Sequence, residues 1–320
     1  MKCFIKIFLL SFYLSKFMVA QQTTQYTQFL FNKGGYNPAA NGNSLLTEFE
    51  VVFGGRTQWI GLSNNPKSAF INGHYVFLPQ RAYRGWHSVG AYVEQDHAGI
   101  FIDNGMYLSY VYHLLVSRGA VLSAGVYAGA KQFRLNSSFL DKNDPVIGSS
   151  SRSFFAYPDI VPGIRYQTKK TYIELSIWQL SIFKQKGYFS SKQIGSPSLL
   201  PVHYIFGFGR KIKLPLDNNL YAAINIRGNY KEIPNFELCL MNYWYNRFAY
   251  GISLRDRNFL CGIYQIRIIN NLVVGFAYDL AISKFFRAAT NTVEVMVGIS
   301  PIFGTSGKTK MRSAVDDCTF

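Results

Sequence analysis

The chain has 320 residues, 48% of them hydrophobic and 17% aromatic, and its 33 Lys and Arg outnumber 17 Asp and Glu for a net charge of +16. Beyond the first 20 positions no uninterrupted apolar run reaches the roughly 20 residues of a spanning helix, and the cysteines left there, Cys239, Cys261 and Cys318, are an odd set that makes no disulfide framework. Composition therefore excludes a helical membrane protein and a disulfide scaffold, leaving a large exported β-domain or a transmembrane β-barrel.

Lys2 and Lys6 stand at the start of a mainly apolar run from Phe4 to Val19 that ends at Ala20, just before Gln21. A positive start, an apolar centre and a small residue at the cut predict a signal peptide over 1–20, removed on export. Loss of Lys2, Lys6 and Lys16 takes 33 basic residues to 30 against 17 acidic, which leaves +13. On an exported chain such a surplus points to anionic lipid headgroups, a polyanion or an acidic partner, and not to nucleic acid.

An arm follows over 21–45. Tyr26, Phe29, Phe31 and Tyr36 are too many large apolar groups to leave in water, since burying each contributes roughly 1.5 to 3 kcal/mol. The arm is expected to pack inside a barrel or against its periplasmic end. Asn37-Pro38 and Asn65-Pro66 are turn signals, because proline holds the preceding residue extended.

From 46 to 303 the sequence alternates with period two between turn residues, the mark of strands with two unlike faces. Leu272, Val274, Phe276, Tyr278 and Leu280 share one face, and Val273, Gly275, Ala277 and Asp279 the other. Phe248, Tyr250, Ile252 and Leu254 alternate likewise with Ala249, Gly251, Ser253 and Arg255. The first face suits lipid and the second a filled or wet lumen. About fourteen strands are predicted, at 46–59, 67–78, 85–95, 101–115, 119–131, 155–168, 171–182, 199–213, 219–228, 233–244, 247–255, 258–268, 272–282 and 291–303. Even-numbered connections are short, and the long ones, within 132–154 and 183–198, are odd-numbered. An outer-membrane barrel has this parity, with long outer loops and short periplasmic turns. Residues 304–320 are left as a periplasmic tail.

Catalytic signals are missing. His74, His87, His97, His113 and His203 have no metal-ligand spacing, and no nucleophile elbow occurs. The segment Asp141 to Pro145 offers oxygen donors without the glycine and distal glutamate of a calcium loop. No cofactor, metal or catalytic residue is expected.

QYTQFLFNKGGYNPAANG (25–42) with GGRTQWIGLSNNPKSAFINGHY (54–75), and a weaker echo in GFAYDLAISK (275–284) and TVEVMVGIS (292–300), resembles the PorP/SprF family of Bacteroidetes outer-membrane proteins, associated with type IX secretion and gliding motility. The resemblance implies a non-enzymatic barrel that supports secretion or surface attachment of large adhesins. Its implied partners are a secreted adhesin with a type IX C-terminal domain and periplasmic components of that system, beside outer-membrane lipid. A core role and a partner-specific role both stay open, and the compact chain favours the second. Tyr26, Phe29, Phe31, Tyr36, Asn37, Pro38, Arg56, Gln58, Trp59, Gly61, Pro66 and Lys67 are the candidate partner-binding or plug residues. An alternative from another class is a passive porin or anion-selective channel, suggested by the basic surplus and by Arg227, Arg255 and Arg267 on predicted lumen faces.

Overall fold

A strand whose side chains alternate between two solvents must bury its backbone polar groups in neighbours, and in lipid only closure into a barrel leaves no unpaired edge. The computed structural model of the chain does this with fourteen antiparallel strands in one closed sheet. It describes residues 24–44, 47–77, 84–135, 154–180, 201–215, 218–230, 233–245, 247–256, 258–269, 271–282 and 291–300. The predicted signal peptide, the segment 141–145, Cys318 and the tail lie outside these residues.

The strands are β1 (Phe49–Thr57), β2 (Lys67–Phe77), β3 (Gly85–Ala98), β4 (Phe101–Ser117), β5 (Ala120–Leu135), β6 (Phe154–Thr168) and β7 (Thr171–Trp178). They continue as β8 (His203–Leu214), β9 (Asn218–Asn229), β10 (Asn235–Trp244), β11 (Phe248–Arg255), β12 (Phe259–Ile269), β13 (Leu272–Ala281) and β14 (Thr292–Ile299). Each pairs with its sequence neighbour, and β1 meets β14 from Val51↔Ile299 to Thr57↔Val293 to close the ring. The end carrying the connections after β1, β5, β7 and β13 is the long-loop end, and the other carries the short turns. Long loops face outward in such barrels, so the short-turn end is the periplasmic one.

The alternation is the predicted one. In β13, Gly275, Ala277 and Asp279 are buried inward and Phe276 and Leu280 are exposed outward. In β11, Ala249, Ser253 and Arg255 point in while Tyr250 and Ile252 point out. Leu108, 71% exposed on β4, shows how apolar the outer face is. The inner face is less simple than small or polar. Tyr92, Tyr107, Tyr127 and Trp178 project inward from β3, β4, β5 and β7, with ring centroids 5.8 to 6.3 Å apart, and form a packed core against one wall.

Strand ends differ from expectation where local chemistry intervenes. β1 stops at Thr57, not Trp59, because Trp59 adopts φ 53 and turns the chain. β7 stops at Trp178, not 182, where Gln179 adopts φ 58. β6 pairs with β7 only over Gly163–Gln167. Pro158 and Pro162, which have no N–H to donate, occupy the upper part of β6.

Candidate functional site: the arm in the lumen

Residues 24–44 run inside the barrel. The first limb lies at the long-loop end, where Arg227 donates from Nη1 to the Thr24 carbonyl at 3.1 Å. Thr27 and Gln28 donate their backbone N–H groups to the two oxygens of Glu294 at 2.8 and 2.9 Å. The Thr27 hydroxyl donates to Asp279 Oδ1 at 2.8 Å and accepts from Arg56 Nη1 at 2.9 Å and Arg255 Nη2 at 2.6 Å. Arg56 also reaches Asp279 at 2.8 Å and Glu294 at 3.4 Å, and Arg255 reaches Asp279 and Glu237, each at 3.3 Å. Strands β1, β10, β11, β13 and β14 thus send charges of both signs to one level of the lumen, centred on one uncharged side chain. An unpaired buried charge is very costly, so the network is stable only complete.

The chain then descends and folds back. Tyr26 packs edge-on to Phe70 at 4.7 Å and takes a hydrogen bond on its carbonyl from the Tyr36 hydroxyl at 2.7 Å. The guanidinium of Arg227 sits 4.4 Å over the Tyr36 ring. Burial raises the Tyr26 and Tyr36 phenols above the ordinary value, an effect that Arg227 partly offsets at Tyr36. The Tyr36 carbonyl accepts from Ser176 Oγ at 2.6 Å and Trp178 Nε1 at 3.0 Å.

Asn37 is the pivot of the second limb. Held extended before proline (φ -146, ψ 118), it caps the short 3-10 helix Pro38–Ala40 by accepting from Ala39 N–H at 2.9 Å. Its amide donates to the Ile164 carbonyl at 3.1 Å. The wall makes room here with glycine: a Cβ on Gly163 would stand 2.1 Å from Asn37 Oδ1 and 2.9 Å from Pro38. Below, Asn41 donates to the Tyr127 hydroxyl at 2.7 Å, Ser88 to the Asn41 carbonyl at 2.7 Å, and Trp86 Nε1 to the Gly42 carbonyl at 2.9 Å. Trp86 stacks on His113, a buried residue that bridges Ser88 and Ser123.

The structure divides the twelve predicted residues into two groups. Tyr26, Phe29, Phe31, Tyr36, Asn37 and Pro38 form the arm, and Arg56 holds it. Gln58, Trp59, Gly61, Pro66 and Lys67 lie apart, in and beside the turn after β1. There Gln58 N–H donates to the Pro66 carbonyl at 2.8 Å and Asn65 Nδ2 to the Gln58 carbonyl at 2.8 Å. Gly61 adopts φ 106, a conformation that excludes most side chains, and Ile60 and Leu62 beside it are exposed. Sequence reasoning placed Asp279 on the inner face without assigning it a task, took Arg227 and Arg255 as lining an anion path, and overlooked Thr27, Glu237 and Glu294. The available signal was a carboxylate on the inward face of an apolar strand, as in TVEVMVGIS, since such a group needs a buried partner. Of the three lumen arginines, Arg227 and Arg255 are drawn into the network, and Arg267 lies near the short-turn end.

Among solved structures, the toluene transporter TbuX of Ralstonia pickettii matches with TM-score 0.53 and 12% identity, over 84% of this chain and 92% of that one. A deletion mutant of TodX, a monoaromatic hydrocarbon channel, matches with TM-score 0.50 and 8% identity, over 82% and 93%. At these identities the likeness is one of fold, an outer-membrane barrel. Comparison with curated proteins gives no match. The model of the type IX secretion system membrane protein family PorP/SprF matches residues 18–299, which include the arm and all fourteen strands. The chain belongs to the PorP/SprF family and is an outer-membrane component of type IX secretion.

Proposed function

We propose that this barrel is a plugged, non-enzymatic accessory that supports secretion or surface attachment of a large adhesin linked to gliding motility. The observation that carries the reading is the arm itself. Residues 24–44 are tied at the top by a five-strand charge network and at the bottom by Asn41 and Gly42, an arrangement suited to a closed docking platform. A channel for anions would keep its cations available, whereas Arg227 and Arg255 are engaged with Glu237 and Asp279. The partner-facing element is the outward turn from Gln58 to Lys67, where Ile60 and Leu62 are exposed beside Trp59. In this reading residues 1–20 are the removed leader, 304–320 a periplasmic tail, and the role is the partner-specific one.

The test is mild-detergent affinity purification of the tagged protein from its own outer membrane, with mass spectrometry of everything retained. A secreted adhesin with a type IX C-terminal domain is the expected partner, lost when Ile60 and Leu62 are both replaced by Ser. Recovery of periplasmic secretion components in its place would assign the core role, and a barrel recovered alone would overturn the proposal.

A further inference from the structure

Below the fold of the arm the lumen keeps a cavity of about 310 Å³, the size of a small-molecule site, between the arm and strands β1, β2 and β10 to β13. Part of its lining is apolar, with Leu30 and Phe31 from the arm and Val52, Tyr243 and Val273 from the wall. Among the described residues the charged groups along it are Lys33, Arg247 and Arg267, against one carboxylate, Glu50. Arg267 N–H donates to the Arg247 carbonyl at 2.8 Å, which sets the two residues side by side at the short-turn end. Arg56, Arg165, Arg227 and Arg255 elsewhere in the lumen all pair with carboxylates. Among the described residues neither Arg247 nor Arg267 does so. Lys33 retains some surface on the cavity while the wall withdraws it from bulk water, and burial, with Arg165 nearby, pulls its ammonium down to about 8. An anion placed there would meet a cationic edge and an apolar bed together.

We infer that this cavity binds a small organic carboxylate with an aryl or alkyl body, entering from the periplasmic end, its carboxylate on Arg247, Arg267 and Lys33 and its body against Phe31 and Tyr243. Paired guanidinium groups suit a carboxylate, and the apolar part of the lining adds affinity that a bare inorganic anion cannot use. The inference concerns the opposite end of the lumen from the proposed docking turn and does not depend on it.

The full chain is reconstituted in nanodiscs and titrated calorimetrically with phenylbutyrate, phenylbutanol, phenylbutylamine and inorganic phosphate. Phenylbutyrate is expected to bind saturably and at least tenfold more tightly than the alcohol, the amine or phosphate. R247Q/R267Q should lose at least tenfold of that affinity while keeping the heat-modifiable migration of a folded barrel. R267E should shift the preference toward phenylbutylamine. No saturable binding, equal binding of the alcohol, phosphate binding as tightly as the acid, or a double variant that binds unchanged would each overturn the inference.

Discussion

Thr27→Val tests whether the arm is held by the network or merely accompanied by it. The substitution keeps the shape and the backbone N–H to Glu294 and removes only the hydroxyl, with its bonds to Asp279, Arg56 and Arg255 at 2.8, 2.9 and 2.6 Å. Hydrogen bonds to charged groups contribute roughly 1.5 to 3 kcal/mol each, but the full sum is not lost. Arg56 keeps Asp279 at 2.8 Å and Arg255 keeps Asp279 and Glu237 at 3.3 Å, so no charge is orphaned. The docked arm should lose about 2 to 4 kcal/mol, which raises the population of its undocked state roughly 30- to 700-fold. Hydrogen exchange of the intact protein in nanodiscs reads this directly. Peptides covering 24–36 should exchange faster by that factor in Thr27→Val and little faster in Thr27→Ser, with wall strands unchanged. Unaltered arm exchange, or equal acceleration in the wall, would refute the reasoning.

Two further predictions concern fit and pH. Gly163→Val places a Cβ 2.1 Å from Asn37 Oδ1, and overpacking of this kind costs ~1 to 3 kcal/mol, so residues 37–44 should become protease-sensitive while the barrel stays folded. Gly262→Ala, where nothing lies within 4 Å, should change neither property. Lys33 has a folded value of about 8 against the ordinary 10.5, so between those values the unfolded chain binds the extra proton and stability must rise with pH. Above roughly pH 9.5 tyrosines ionise in the unfolded chain first and oppose the gain, as the raised Tyr26 and Tyr36 require. Thermal melts from pH 7.5 to 9.5 should show a rise in Tm that Lys33→Gln abolishes. An equal rise in that variant would assign the effect to another group.

Strand number, face and loop parity were legible in the sequence, because period-two alternation is a local property that lipid on one side enforces along the whole chain. Ends were less so. Trp59 and Gln179 leave the sheet through positive φ, and neither is a glycine that would have announced it. The arm's aromatic load marked it for burial, yet its path was hidden. Its anchors Asp279 and Glu294 lie more than 200 residues away, and closure between β1 and β14 is what brings Arg56 beside them. The motif stretches make sense only in that closed form: Thr27 from the first, Arg56 from the second, and Asp279 and Glu294 from the C-terminal echo meet at one level of the lumen. Lumen arginines read singly suggested an anion path; Arg227 and Arg255 have carboxylate partners on neighbouring strands that single-strand reading does not reveal.

The central claim is that the arm closes the barrel, and planar-bilayer recording of the purified protein tests it most directly. The intact chain should insert with little steady conductance, and deletion of residues 21–45 should open a stable pore through the same wall. Free conduction by the intact chain, or a deletion variant that folds and stays closed, would contradict the account.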